Sequence, residues 1–272
     1  MSSTKAVLPA RWRAEFLNQL SRMPTPEFVF TSLHTAPSEY HVKFVPRART
    51  CVFRGMWTEL SVHRNNTADL NEKTYQSDLL AFTSDVRMNK IPEIFSSSSE
   101  KVNINSSGGN GPVEALFWIK ETKTQWRFKG EAFVVGIDID DESSSGARTV
   151  KRIVGERMRL VNPEAKDRWS WSKELTAHFG NLSPQMRGTF KNPSPGAPIS
   201  TPIRDRRLKL GQEVDDLHDE VARENFRVII IKPYEVEKFY LGDLSDPKKL
   251  IYTYVGPESG EADGWKDEEV WP

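Results

Sequence analysis

Short runs of β-branched and aromatic residues, separated by polar turns, dominate the chain from Arg49 onward. Such runs are typical of β-strands. They are TCVFRGMWTELSV, LLAFTSD, VEALFWIKE, QWRFKGEAFVVGID, FRVIIIKPYEVEKFYL, KKLIYTYVG and GWKDEEVWP. A parallel sheet needs a helix between most successive strands, and too few helical segments are present for that. The pattern therefore predicts an α+β protein whose main element is an antiparallel sheet closed into a barrel or sandwich.

Helical periodicity is confined to a few segments. Near the start of the chain, an apolar stripe predicts an amphipathic helix over residues 10–23. The stripe consists of Trp12, Phe16, Leu20 and Met23. A short helix is expected near Pro92, after the second predicted strand. Residues 148–179 read as two helices divided by Asn162-Pro163, the first with an apolar face that runs to Val161.

Three further segments lack a clear period. The prolines between Met23 and Val42 favour a connecting stretch. The Gly- and Ser-rich residues 103–112 predict a mobile insertion. The segment 148–225, which combines the two helices with a Pro-rich stretch, is expected to lie between barrel strands. We interpret residues 1–272 as a single domain.

Composition narrows the functional classes. Lys plus Arg and Asp plus Glu are both 38, so the formal net charge is zero. A nucleic-acid or anionic-membrane partner is therefore not expected. No run of about 18 apolar residues occurs, and the start has no apolar signal core. With one cysteine, an intrachain disulfide is excluded. We expect a cytoplasmic protein.

Most familiar catalytic motifs are absent. The sequence has no P-loop, GxGxxG, HExxH or GxSxG pattern. The five histidines have no metal-ligand spacing, so no metal site is predicted. The single thiol, Cys51, lies in an apolar run and is interpreted as buried and inert.

Basic and polar residues do recur at the predicted strand ends. They are Arg49, Arg54, Thr83, Arg87, Lys90, Gln125 and Arg127. Guanidinium groups bind phosphate through paired hydrogen bonds, and Lys and Thr add a charge and a hydroxyl. Surface charge at the rim of the sheet explains the same residues equally well, so spacing alone leaves both interpretations open.

The run RTCVFRG, residues 49–55, carries an arginine near each end. Strand alternation places Arg49 on one face, with Cys51, and Arg54 on the other, with Val52. The two arginines are therefore expected to have different surroundings, unless a bulge at Val52 or Phe53 brings them to one side.

The chain also resembles the pyridoxamine 5′-phosphate oxidase-like FMN-binding split barrels, most closely a branch of FMN-binding domains common in fungi and cyanobacteria. The resemblance is carried by RTCVFRG, LLAFTSDVRMNK, VEALFWIKETKTQWRFKGEA and the ending GWKDEEVWP, in that order. It implies a split β-barrel with flanking helices. It also implies a homodimer with two FMN sites at the interface, each built from both chains.

The resemblance further implies roles for individual residues. Arg49 and Lys90 would hold the FMN phosphate, with Arg87 in support, and Arg54 would face the substrate. The remaining residues implied to contact FMN are Thr50, Cys51, Val52, Phe82, Thr83, Gln125 and, from the second subunit, Lys249. No catalytic residue is implied.

The sequence also departs from the oxidase proper. Met88 and Asn89 stand where that enzyme has Ser and Arg before its lysine, and SDPKKLIYTY lacks its Arg-x-His motif. Pyridoxamine phosphate oxidation is therefore not the expected reaction. The favoured function is an FMN-dependent oxidoreductase acting on an unknown small molecule. The alternatives are a flavin-binding carrier, sensor or interaction protein without turnover and, less favoured, a barrel that binds protein or nucleic acid.

Overall fold

The computed structural model describes residues 8–95 and 103–272. Within these ranges the strands are β1 (Glu27–Thr35), β2 (Phe44–Met56), β3 (Tyr75–Ser77), β4 (Leu80–Asp85), β5 (Gly108–Ile119), β6 (Thr124–Val135), β7 (Met158–Leu160), β8 (Phe226–Tyr240), β9 (Lys248–Tyr254) and β10 (Trp265–Val270). The α-helices of the same ranges are α1 (Arg13–Leu20), α2 (Lys90–Phe95), α3 (Ser145–Gly155), α4 (Trp171–Gly180), α5 (Pro184–Gly188) and α6 (Glu220–Asn225). None of the helices described is long and apolar enough to cross a bilayer.

Eight antiparallel strands form one sheet in the order β10-β9-β8-β4-β2-β1-β5-β6. β6 also pairs with β8, so the strands from β8 to β6 close into a ring. β8 pairs with β4 along residues 226–231 and with β9 along residues 235–240, so the sheet divides along this strand. The predicted α+β fold, a mainly antiparallel split barrel with flanking helices, is confirmed.

Apolar side chains on the two faces of β4, β6 and β8 belong to different cores. Phe82, Val134 and Ile229 lie in the core inside the ring, together with Phe16 of α1 and Trp12, which directly precedes that helix. The alternating residues lie in a second core against α3, α4 and α6. They include Ala81, Phe133, Val135, Val228 and Ile230. Because both faces of these strands are covered, FRVIII reads as an uninterrupted apolar run.

The prediction of a connecting stretch before Val42 is wrong for residues 27–35, which form β1. Pro24 and Pro26 precede this strand and do not interrupt it. Phe28, Phe30 and Ser32 are buried at every second position, whereas their neighbours on the strand are more exposed. The alternation that defines the strand was therefore present but was masked by the flanking prolines.

The predicted loop at 103–112 is also corrected, because Gly108 already begins β5. Gly109 has φ +94° in this strand, and a Cβ there would lie 2.6 Å from Ile94 Cγ2 and 3.0 Å from the Ala132 carbonyl oxygen. The glycines that suggested a loop thus allow α2 to approach the strand closely. That the whole chain is one domain stays a prediction.

In the helical region, α3 ends at Gly155 and does not continue to Val161. The residues after it form β7, which pairs with β3. The predicted break at Asn162-Pro163 is confirmed, and so is the second of the two helices predicted over residues 148–179, which is α4 and carries Trp171, Leu175 and Phe179. The N-terminal helix spans Arg13–Leu20, within the predicted 10–23.

Gly109→Ala is expected to lower the free energy of unfolding by about 1–3 kcal/mol more than Gly211→Ala. Both glycines have positive φ, +94° and +75°, but a Cβ at Gly211 meets nothing within 4 Å. The difference between the variants therefore isolates the clash with Ile94 and Ala132. Urea unfolding followed by tryptophan fluorescence measures it, and equal losses would show that α2 does not press on β5.

Candidate functional site

β2 and β4 pair only briefly and then separate. Their register joins Phe53, Gly55 and Met56 to Phe82, Ala81 and Leu80. Residues 44–52 of β2 continue to pair with β1 on the other side. Before Phe53, one edge of β2 therefore has no strand partner within the described chain. We call the space between residues 49–52 of β2 and 83–85 of β4 the β2–β4 split.

Arg49 and Cys51 face the interior at this split. Their register partners on β1 are Phe30 and Phe28, both buried in the core inside the ring. The Arg49 guanidinium lies 5.8 Å from the Phe30 ring centroid. Directly opposed residues of an antiparallel pair point to the same face. Arg49 therefore reaches into the split as an inward-facing cation, as the strand alternation predicts.

One end of the Arg49 guanidinium is held by neighbouring groups. Nη1 donates to Ser32 Oγ at 2.6 Å and to the Arg47 carbonyl oxygen at 2.9 Å. Nη2 donates to Glu93 Oε2 at 2.6 Å. The Ser32 hydroxyl donates to the same Glu93 oxygen. Ser32 and Glu93 are both buried, so water competes little for these bonds.

The other edge of Arg49, formed by Nε–H and the second Nη2–H, donates to no residue in the described part of the chain. Arg87 shows what this edge does when occupied. There, Nε and Nη2 bind the two oxygens of Asp85 at 2.9 and 2.6 Å. The Nε–Nη2 edge of Arg49 is thus suited to a bidentate carboxylate or phosphate.

Lys90 brings a second cation to the split. It is the first residue of α2, is buried, and its Nζ donates to Ser84 Oγ at 3.2 Å. Burial lowers the pKa of the Lys90 ammonium, and the nearby Arg49 lowers it further. Burial also raises the pKa of the Cys51 thiol, against the opposing charges of Lys90 and Arg49. The thiol therefore favours its protonated form, which agrees with its interpretation as inert.

Phe82 and Thr83 lie on opposite faces of β4. The Phe82 ring is fully buried, 5.5 Å from Phe28 and 5.0 Å from Phe30 between centroids. Its side chain is therefore withdrawn from the split. Thr83 is only partly buried and lies beyond the last residue of β4 that pairs with β2.

Arg87 is committed elsewhere. Beyond its bidentate contact with Asp85, it donates to the carbonyl oxygens of Asn192 at 2.7 Å and Phe190 at 3.2 Å. These contacts tie the end of β4 to the start of the Pro-rich segment. The implied supporting role of Arg87 at the phosphate stays a prediction.

Arg54 is the extra residue of a β-bulge, since Phe53 pairs with Phe82 and Gly55 with Ala81. The bulge thus lies at Arg54, directly after the predicted Val52 or Phe53, and it leaves the two arginines with separate surroundings. Arg54 is half-buried beside His178, and its buried Nε has no hydrogen-bond partner. Burial lowers its pKa. No described carboxylate forms an ion pair with it.

His178 stacks on Trp57 at 5.8 Å between centroids, and neither ring nitrogen has a hydrogen-bond partner in the described chain. Complete burial, together with the charge of Arg54, lowers the pKa of His178 to about 3. The imidazole is therefore neutral and adds no second positive charge beside Arg54.

Gln125 and Lys249 form a separate group. Gln125 pairs with Phe239, which pairs with Lys249, so the two lie in one row across β6, β8 and β9. Neighbouring Trp126 points into the core inside the ring, which places Gln125 on the outer face. In the ring, β6 stands opposite β2. The structure therefore does not bring Gln125 and Lys249 to the Arg49 of the same chain.

Sequence reasoning missed three groups that shape the split, namely Ser32, Ser84 and Glu93. Glu93 follows Lys90 by three residues, a spacing that places both on one side of a helix and that was available in the sequence. Ser32 was hidden by the failure to recognise β1. Ser84 directly follows Thr83, but only the position of Lys90 reveals its role.

Comparison with known proteins agrees with this architecture. Residues 9–136 match the family model of the pyridoxamine 5′-phosphate oxidase, FMN-binding domain. The matched segment contains the β2–β4 split and ends just after β6. This match confirms the resemblance to the pyridoxamine 5′-phosphate oxidase-like FMN-binding proteins that was noted in the sequence.

Two relatives extend over most of the chain. The uncharacterized protein YGR017W of Saccharomyces cerevisiae is 21% identical over 276 residues, which cover 84% of this chain and 88% of the yeast protein. A solved structure of a pyridoxamine 5′-phosphate oxidase-related, FMN-binding protein from Nostoc punctiforme is 17% identical, with a TM-score of 0.57. That alignment covers 97% of this chain and 100% of the Nostoc chain, and it shows a shared fold.

His178→Phe is expected to make stability less sensitive to acid. An unfolded-state histidine takes up a proton below its ordinary pKa of about 6.5, whereas folded His178 stays neutral down to about 3. The contribution of neutral His178 to the free energy of unfolding is thus fully present above pH 6.5 and declines as the pH falls toward 3. At pH 5 the linked loss is about 2 kcal/mol.

Urea unfolding at pH 8 and pH 5 measures this difference for wild type, His178→Phe and the exposed-site control His218→Phe. The pH-dependent loss should shrink only in His178→Phe. An unchanged loss in that variant would mean that folded His178 is protonated near pH 5.

Proposed function

We propose that this protein binds FMN at the β2–β4 split and that Arg49 and Lys90 hold the phosphate. The observation that carries the proposal is the Nε–Nη2 edge of Arg49, which has no described partner and lies at the split with the buried Lys90. A dianionic phosphate would compensate both cations and match the bidentate edge. The match of residues 9–136 to an FMN-binding domain supports the same ligand.

The edge of β2 without a described strand partner supports a binding position for the flavin ring along its backbone. Residues 44–52 pair with β1 on one edge, whereas no described strand pairs with their other edge. The N–H and C=O groups of successive residues point to opposite edges of a strand, so every second residue among Thr50, Cys51 and Val52 directs these groups toward the split. These groups fit the hydrogen-bonding edge of an isoalloxazine, in agreement with the roles that the family resemblance implies. Thr83 lies on β4, the strand on the other side of the split.

Bound FMN would supply hydride transfer, and the protein would supply placement and charge. We infer an FMN-dependent oxidoreductase acting on a small molecule. Arg54 supports a substrate with an anionic group, because this half-buried guanidinium has no described carboxylate partner and stands beside a neutral histidine. A flavin-binding protein without turnover remains the alternative; reduction of the bound flavin by a nicotinamide in stopped-flow absorbance would argue against it.

We further propose a homodimer. A cofactor that touches both Arg49 and Gln125 cannot take them from one ring, since the filled core of the barrel lies between β2 and β6. A second copy can supply Gln125 and Lys249. The outer face of the sheet supports such an interface, because Val29 on β1 and Trp118 on β5 are 38% and 45% exposed.

Arg49→Ala is expected to weaken FMN binding by about 1.5–3 kcal/mol, the contribution of a charged hydrogen-bonded pair. Titration followed by flavin fluorescence measures the affinity. Arg152→Ala is the matched control, since Arg152 is a 66% exposed arginine on α3. Equal affinities in the two variants, or a wild-type protein that binds no FMN, would contradict the phosphate assignment.

Trp118→Glu is expected to shift the protein toward the monomer, because a carboxylate would be buried in the proposed interface. Trp271→Glu makes the same exchange at a 94% exposed position near the end of the chain and should leave the assembly as in wild type. Light scattering coupled to size exclusion gives the mass. A monomeric wild type, or a dimeric Trp118→Glu protein, would contradict this interface.

A further inference from the structure

Glu93 is a buried carboxylate that contacts Arg49, Ser32 and His34 beside the proposed phosphate site. Its side chain is 3% exposed. Oε2 accepts hydrogen bonds from Arg49 Nη2 at 2.6 Å and from the Ser32 hydroxyl. Oε1 lies 3.1 Å from His34 Nδ1. One buried group thus connects α2, which also supplies Lys90, to β1 and β2.

These contacts determine which part of Arg49 is engaged. Glu93 and Ser32 together take the Nη1–Nη2 end of the guanidinium, and the Arg47 carbonyl takes a second Nη1 proton. The Nε–Nη2 edge is left for a ligand. An arginine side chain held in one orientation loses less conformational entropy when it binds an anion.

We propose that Glu93 is a positioning residue, which fixes Arg49 so that its Nε–Nη2 edge receives the FMN phosphate. The inference rests on the proposed function. The opposite role would be a carboxylate that occupies Arg49 in place of the phosphate. The geometry argues against that role, because Glu93 contacts the end of the guanidinium and leaves the bidentate edge unoccupied by any described residue.

The two roles predict opposite signs. A competing carboxylate repels phosphate, so its removal tightens FMN binding. A positioning carboxylate helps the arginine bind, so its removal weakens FMN binding without changing the affinity for riboflavin, which has the same ring and no phosphate. The ratio of the riboflavin Kd to the FMN Kd therefore isolates the effect on the phosphate.

The experiment measures this ratio by fluorescence titration of the full chain. In Glu93→Ala it is expected to fall about tenfold, with the riboflavin Kd unchanged. Glu93→Gln keeps an oxygen that accepts from Arg49 and should retain most of the wild-type ratio. Glu235→Ala is the matched control, since Glu235 pairs with Lys129 at the same 2.6 Å outside the split, and it should leave the ratio unchanged.

Several results would overturn the positioning role. They are a ratio in Glu93→Ala equal to that of wild type, a higher ratio, or a parallel loss of affinity for both flavins. If Glu93→Ala does not fold, Ser32→Ala removes the hydroxyl that links Arg49 to Glu93, and the same criterion applies with an expected fall of about threefold.

The Arg49→Ala variant separates this failure from failure of the proposed function. If Arg49→Ala loses the phosphate preference and Glu93→Ala keeps it, only the role of Glu93 is wrong. If wild type binds FMN no better than riboflavin, the phosphate site itself is wrong and the role of Glu93 falls with it.

Discussion

The short pairing between β2 and β4 is the constraint on which the candidate site depends. β2 pairs with β1 as far as Val52, but it joins β4 only from Phe53 onward. The bulge at Arg54 lies at the point of separation. A barrel whose strands paired along their full length would bury the backbone of residues 49–52 in a second ladder. The separation leaves that edge for a ligand and admits the α2 side chains beside it.

The β2–β4 split contains more positive than negative side chains at positions that are shielded from water. Arg49 and Lys90 are two cations, and Glu93 is the carboxylate that contacts Arg49. Removing such groups from water is unfavourable unless each is compensated, and an unbalanced buried cation is more often a binding feature than a stabilising one. Arg87 differs from Arg49 in this respect. Its N–H groups donate to Asp85 and to two backbone carbonyl oxygens, so its contacts connect parts of the fold.

Much of the fold was accessible from local pattern, because apolar periodicity identified most barrel strands and the helix carrying Trp171. The failures have physical causes. β1 was hidden by prolines that flank it, and the start of β5 by glycines that a close helix requires. Within the site, alternation correctly separated Arg49 from Arg54. The partner of Arg49 was not accessible, since Glu93 reaches it only through the packing of α2 against β1, a contact between distant parts of the sequence.

The division of the implied FMN residues into two groups is also a matter of topology. A family resemblance gives residue types and their order along the chain, but it does not say which face of which strand each residue occupies. Closure of β6 onto β8 places Gln125 across the barrel from Arg49, and aromatic side chains fill the space between them. If both groups serve one cofactor, the chain is incomplete by itself. Assembly then becomes a condition for a complete binding site, because the second copy supplies Gln125 and Lys249, which one chain cannot bring to its own β2–β4 split.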